Sequence, residues 1–438
     1  MANSGIHKRR RTPGDGFFPP LPPAARQALA LLPEALKRVR PLNAAQRRSL
    51  PEDAAELSRL LTVERGALRR PYWLSPAFVS AYLYYFLPWN LLRLARLFSS
   101  LPLPDPCSAA PGGALLVDVG SGPLTVPIAL WMARPDLGDA PLGVFALDSA
   151  PQPLELGKSL FRILGELAGR RVWPLYTERA RLGHPDRPVR GLNRRFAGGH
   201  ARLWLVAAAN VFNEFHVRSG RKRAFDKDPE DDGDCGAGGG EMPAADILRF
   251  FSRLAASGPE SPALLAVEPG TRLGGRTIMT LREQAGERGL RALAPCPHNV
   301  VCPLLKNRGR AWCHFTFDCA GAPSWLERLS GEAGLAKTSL SLSFLLLRRE
   351  GAAREDEKPS GGRLSEENSA EARVLSAPFA VPGLVGGARY ACCAKGLLLL
   401  EDAADLAQGE LLRIRLVQNA PRDAKSGALI IRAGPSAC

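Results

Sequence analysis

The chain has 438 residues, 45% of them hydrophobic, which is material for roughly two or three folded units and excludes an intrinsically disordered chain. Lys and Arg outnumber Asp and Glu by 58 to 43, a formal charge of +15 that favours a polyanion such as RNA over an acidic metabolite. No apolar run approaches the ~20 residues needed to cross a bilayer, and the basic start, Lys8 to Arg11, lacks the apolar segment of a secretory signal. Richness in Ala, Gly, Pro and Arg fits a GC-rich genome, so a bacterial cytoplasm is expected, or a mitochondrion if the source is eukaryotic.

Residues 1–23 read as a flexible basic tail rich in proline. Apolar residues then recur at helical spacing over 24–39 and 54–61. The stretch 72–98, with Tyr82, Tyr84, Tyr85, Phe86 and Trp89, reads as helix core rather than as a base-stacking surface. A helical cap is therefore expected over 24–105. From Leu115 onward strand and helix signals alternate, as in a parallel sheet covered on both faces. Strands are expected at 115–119, 143–147, 171–176, 203–208 and 264–267, helices at 126–133, 154–167, 244–254 and 277–288, and a closing strand at 339–347. The charged, Gly-rich stretch 218–243 reads as a loop. These elements make a domain over 106–350 that includes a cysteine loop at 295–319. A polar linker over 351–372 leads to a small β-rich appendage over 373–438, with apolar runs at 397–400, 411–417 and 428–431.

The sharpest local signal is a strand ending in Asp118, followed by Gly120 and Gly122 and then by a helix-like segment. Glycines there let a ligand approach the backbone at a helix N-terminus. Ligands of open parallel sheets lie beyond the carboxyl ends of the strands, where Asp118, Asp148, Asn213, Glu214 and Glu268 all fall. Asp148 is suited to accept ribose hydroxyls. The third glycine of a dinucleotide site is missing, and Asp148 lies further from Gly122 than the roughly 20 residues usual there. Asp118-x-Gly120-x-Gly122 followed by Asp148 instead resembles the first two motifs of class I S-adenosylmethionine-dependent methyltransferases. That resemblance implies an α/β, Rossmann-like methyltransferase core with an N-terminal helical cap and a small C-terminal β-rich appendage. Its cofactor would be S-adenosylmethionine, bound by Asp118, Gly120, Gly122, Asp148 and Asn213. Asn213-Glu214-Phe215-His216 lacks the prolines found in base N-methylating enzymes; Glu214 and His216 are candidates for a base, with a loop cap as the other role.

Of nine cysteines, Cys107, Cys235 and Cys438 are isolated, Cys296, Cys302, Cys313 and Cys319 share one short stretch, and Cys392 and Cys393 are adjacent. Clustered thiols without a secretory signal suggest zinc or an iron–sulfur cluster. The spacing departs from the C-x2-C knuckle of structural zinc sites, so Cys296, Cys302 and Cys313 are expected on one wrapping loop. A fourth ligand would come from Cys392, Cys393, His298, His314 or Cys319.

Ala-Pro-Cys-Pro-His (294–298), Cys302-Pro303-Leu304 and Trp312-Cys313-His314-Phe315 resemble the signature of the methyltransferase-like ribosomal small-subunit assembly family, known from mitochondria and bacteria. Glu268-Pro269-Gly270-Thr271 with Arg282, Asn213-Glu214 and Ser343-Phe344 extend the resemblance over about residues 70–400. It implies a 4Fe–4S cluster on Cys296, Cys302, Cys313 and Cys392, with Cys393 the alternative for the last. It also implies association with small-subunit rRNA during ribosome assembly. Lys306, Arg308 and Arg310, inserted between Cys302 and Cys313 relative to the family's pattern, would be presented to phosphate by the ligated loop. A rival reading is an active S-adenosylmethionine-dependent rRNA methyltransferase with a structural metal site. A monomer without a membrane partner is expected.

Overall fold

Pro23 sits in the first turn of helix α1 (Pro23–Val39), where its missing N–H costs nothing, and the helix buries Ala25, Ala28, Leu29, Leu32 and Leu36 on one face. Helix α2 (Ala44–Thr62) starts at a reciprocal cap: Gln46 N–H donates to Asn43 Oδ1 at 2.9 Å and Asn43 N–H to Gln46 Oε1 at 3.0 Å. Helices α3 (Pro76–Ala81) and α4 (Leu87–Phe98) are joined through one π-helical segment, Tyr82–Phe86. This computed structural model describes residues 6–7, 16–62, 64, 71–106, 113–180, 202–212, 241–255, 262–306, 311–349, 369–382, 386–416 and 420–432.

The strands that follow are β2 (Ala114–Val119), β3 (Leu142–Asp148), β4 (Leu175–Arg179), β5 (Arg202–Ala209), β6 (Ala263–Pro269), β7 (Leu290–Ala294), β8 (Phe315–Asp318) and β9 (Ser339–Arg349). Between them lie α5 (Thr125–Ala133), α6 (Pro151–Ala168), α7 (Glu241–Ala255), α8 (Arg272–Gly286), the short α9 (Pro303–Lys306) and α10 (Ser324–Glu332). The sheet runs β4-β3-β2-β5-β6-β9-β7, with β8 also on β9. Strands β2 to β6 are parallel, and β9 is antiparallel to both β6 and β7. This is the class I methyltransferase core: a doubly wound sheet whose order reverses between β2 and β5, closed by one reversed strand. Apolar side chains fill both faces of the sheet, one against α1, α4, α5 and α6, the other against α7 and α8.

Several elements differ from what sequence patterning predicts. The third strand starts at Leu175 rather than Arg171, because Pro174 has no N–H for the ladder and only its carbonyl joins, accepting from Val144 at 2.8 Å. Strands β7 and β8 are short and partly exposed, so their periodicity is faint; each is held by pairing with the eleven-residue β9. The composition of 1–23 predicts a flexible tail, yet Phe17, Phe18 and Leu21 are buried and Ile6–His7 form a strand, β1. Phe18 stacks on Phe317 at 4.2 Å, and the buried Arg96 donates to the carbonyls of Phe18 and Pro19. Aromatic burial outweighs the chain entropy of this segment.

The small sheet contains β10 (Ser369–Val374), β11 (Arg389–Cys393), β12 (Gly396–Glu401), β13 (Leu411–Arg415) and β14 (Leu429–Arg432). Its order is β1-β13-β10-β11-β12-β14, with only the β12–β14 pair parallel. From β10 to β14 that is the order of an OB-type barrel, left open between its fourth and fifth strands. Alternation along β11 and β12 sends Ala391, Cys393, Leu398 and Leu400 into this domain's own core. Tyr390, Cys392, Leu397 and Leu399 face the other way and pack on the methyltransferase-like core. Most of the predicted linker, 351–368, lies outside the described residues.

Candidate functional site

The first candidate site lies at the switch between β2 and β5. Gly120 (φ +66°) and Gly122 (φ +53°) hold the left-handed backbone of the turn after Asp118, and Leu124 (φ +61°) caps α5 in the same region. Ser121 N–H donates to Leu147 O at 2.9 Å, and Gly122 N–H to Asp148 Oδ2 at 2.9 Å, tying the turn to the end of β3. A Cβ on Gly120 would sit 2.5 Å from Val211 Cγ2, whereas one on Gly122 would meet nothing within 4 Å. Gly157 of α6 lets that helix approach the backbone of Pro123, where a Cβ would lie 2.4 Å away. Close packing of helix on turn, the role of the absent third glycine, is thus supplied from the next helix. Sequence reading missed Gly157 because nothing in its local pattern marks it.

Asp118 is buried. Its Oδ2 accepts the Ser121 hydroxyl at 2.5 Å, and its Oδ1 has no partner among the described residues. Burial raises its pKa to about 8, aided by the Asp148 charge and opposed by Ser121. Asp148 is also pushed up by burial, against backbone N–H bonds from Ala150 and Gly122. The Ser149 backbone and hydroxyl bond to the same carboxyl and also oppose the rise. An orphaned buried carboxylate oxygen beside an open glycine turn fits the polar end of S-adenosylmethionine. Beyond β5, Phe212 N–H donates to the buried Glu268 Oε1 at 2.9 Å. Asn213, Glu214 and His216 lie outside the described residues.

The second candidate site lies at the junction with the small sheet. Cys296, Cys302, Cys313 and Cys392 line one cavity, part of it open to solvent, together with His298 and Arg282. Three separate segments deliver the thiols: the loop from β7 to α9, the residue before His314 and β8, and strand β11. Cys393 points into the core of the small domain instead. Cys319 and His314 are not among the lining residues; His314 stacks on Trp312 at 4.8 Å.

Each segment is pinned by hydrogen bonds. Cys302 N–H donates to Glu283 Oε1 at 2.7 Å. Ser343 Oγ donates to Cys313 O at 2.7 Å, and Trp312 Nε1 donates to Gly270 O at 3.1 Å, using both the Ser-Phe and Glu-Pro-Gly-Thr stretches. Gly275 permits that approach, since a Cβ there would sit 2.4 Å from Trp312 Cδ1. Arg282 Nε–H donates to Cys296 Sγ at 3.1 Å, and its Nη2 to the carbonyls of His298 and Val300 at 2.9 and 2.6 Å.

Burial pushes all four thiols above their ordinary pKa. For Cys296, Cys313 and Cys392 the neighbouring sulfurs add to the rise, while Arg282 opposes it at Cys296, Cys302 and Cys313. Burial, then the Arg282 charge, lower the His298 pKa to about 4, leaving a neutral ring whose Nε2 lies 3.7 Å from Cys392 Sγ. Among the described residues no three His, Cys, Asp or Glu side chains are arranged to hold a single metal ion. Arg308 and Arg310, and the side chain of Lys306, lie outside the described residues.

Residues 249–356 match the family model described as mitochondrial small ribosomal subunit Rsm22. No curated protein matches the chain. Among solved structures, an S-adenosylmethionine-dependent methyltransferase from Clostridium acetobutylicum is 8% identical, with 54% of this chain and 85% of that one covered at a TM-score of 0.28. One from Thiobacillus denitrificans, in complex with S-adenosyl-L-homocysteine, is 11% identical over 59% and 91%, at 0.27. TrmN from Thermus thermophilus is 16% identical over 61% of this chain and 53% of its own, also at 0.27. Strand order, not these distant likenesses, assigns the fold. No described helix is long and apolar enough to cross a membrane.

Proposed function

We propose that this chain, whose residues 249–356 match the family model of mitochondrial small ribosomal subunit Rsm22, is a methyltransferase-like protein of the small ribosomal subunit with a 4Fe–4S cluster at its domain junction. The observation that carries this reading is four thiols from three segments, Cys302 buried and Cys296, Cys313 and Cys392 half-buried, around one cavity. Burial and mutual repulsion keep these thiols protonated, so ligation needs a strongly positive centre to stabilise the thiolates. Zinc requires four ligands at about 2.3 Å from one ion. A 4Fe–4S cluster would take its four cysteines on different irons, which suits four sulfurs that line one cavity without three ligands converging on a single ion among the described residues.

S-adenosylmethionine is the proposed ligand of the first site, where its sulfonium would supply an activated methyl group. Asp118 Oδ1 would accept from the amino group and Asp148 from the ribose, and the open space at Gly122 would let the ligand approach the backbone. Glu268 positions the backbone entering Asn213 by accepting the Phe212 N–H. Cluster ligation would join Cys392 of the small domain to Cys296, Cys302 and Cys313, so its binding energy also holds the two domains together. The charge of +15 supports rRNA as the direct partner.

Co-sedimentation with small-subunit particles tests the partner: binding should fall steeply between 50 and 200 mM salt, by ~10³-fold or more if six or more phosphates are contacted. Binding that ignores salt, or none, contradicts it. A second reading, turnover as an rRNA methyltransferase, is favoured by the orphaned oxygen of Asp118. Transfer of labelled methyl groups to small-subunit precursors, abolished by Asp118→Ala, would establish it; cofactor binding without transfer would favour the assembly role.

A further inference from the structure

Two arginines, one from each domain, meet at the thiol cavity. Arg282 of α8 is 7% exposed, donates to Cys296 Sγ, and is fixed by two loop carbonyls and by Glu283 at 2.6 Å. Arg373 of β10 is the register partner of Cys392 across the strand pair. Its Nε–H donates to Pro295 O at 3.0 Å, beside Cys296, and its Nη1 to Gly409 O at 2.8 Å. The Phe17 ring covers its guanidinium at 4.4 Å. Burial lowers the Arg373 pKa to about 10, with Cys296 and Glu371 opposing. A guanidinium is costly to desolvate unless an anion faces it, and here both face the thiols.

We propose that Arg282 and Arg373 are the charge-compensating residues of this cavity, Arg282 through an N–H···S bond to Cys296 and Arg373 by closing it from the small domain, and that they favour the more reduced state of the centre held there. This rests on the reading that the cavity holds an iron–sulfur cluster. One-electron reduction adds a negative charge to a centre already anionic with its thiolates. Hydrogen bonds to sulfur and nearby cations stabilise that added charge and raise the reduction potential. Arg373 arrives only when the small domain is docked, so cluster electronics and domain docking are linked through one residue.

The test is a potentiometric titration of the anaerobic full-length protein. Dithionite serves as reductant, giving one electron per cluster and ending as sulfite, and the reduced centre is read by electron paramagnetic resonance. Iron and sulfide are assayed alongside. With full iron content, Arg282→Gln and Arg373→Gln should each lower the reduced-to-oxidised ratio at fixed potential by about tenfold, a shift of 59 mV for one electron. Arg282→Lys should recover most of the ratio. Full loading with unchanged potentials overturns the proposal. If Arg282→Gln fails to load, loading of Arg282→Lys at near wild-type potential supports the charge role, and failure of Arg282→Lys as well overturns it. A wild-type protein without iron overturns the underlying cluster reading instead.

Discussion

The glycine turn draws its scaffold from one βαβα unit, Ala114 to Ala168, with β5 beside β2 and Val211 against Gly120 from outside it. The thiol cavity draws on α8, the segments after β7 and before β8, β9 and the small domain, with Phe17 of the N-terminal segment behind Arg373. A turn made from neighbouring residues is formed once its strands pair. A cavity made from distant segments forms only after two domains and the N-terminal segment have docked. The turn should therefore be damaged chiefly by changes within it, the cavity by changes far away.

The largest expected effect is on the cavity. Cys392→Ser should abolish cluster retention and loosen the small domain, read as loss of visible colour and faster proteolysis between the domains, while Cys393→Ser keeps both. Equal behaviour of the two variants would break the distinction drawn from strand alternation. Phe17→Ala removes a ring that contacts Phe18, Phe315, Phe344 and Arg373, and should cost about 3–5 kcal/mol in chemical denaturation together with partial iron loss. Full iron retention in that variant would separate the N-terminal segment from the cavity.

On the turn, the carboxyl of Asp118 holds its proton up to about pH 8 when folded, against an ordinary value of 3.8. The native state then binds more protons than the unfolded chain between those values. Its stabilising contribution is complete below about pH 4 and is lost as pH rises through about 8. Asp118→Asn should flatten this decline, raising stability relative to wild type more at pH 8 than at pH 5 in paired urea titrations. A parallel pair of pH profiles would contradict the assignment. The smallest effect is expected from Gly120→Ala, which forces a Cβ onto Val211 at positive φ and should cost about 1–3 kcal/mol. S-adenosylmethionine affinity should fall, with iron content untouched.

Legibility in the sequence follows the same division. The βαβ signals around Leu115–Val119 and Gly143–Leu147 give the sheet because buried parallel strands are continuous apolar runs. Asp118, Gly120, Gly122 and Asp148 converge as their positions at strand ends require. Cys296, Cys302 and Cys313 are visible as a cluster, but the fourth lining thiol is not readable from spacing; it is the strand register of β11 that turns Cys392 inward and Cys393 away. Short strands such as Phe315–Asp318 carry too few residues for periodicity and exist through their partner. Phe17 and Phe18 read as part of a polar tail because two aromatic residues among prolines give no local sign of the pocket that receives them.

The most direct test of a cluster at the domain junction is iron and acid-labile sulfide analysis of the anaerobically purified full chain, wild type against Cys392→Ser. The account predicts a brown protein with about four irons and four sulfides per chain, lost in the variant. A colourless wild-type protein, or one loaded with zinc, would contradict it.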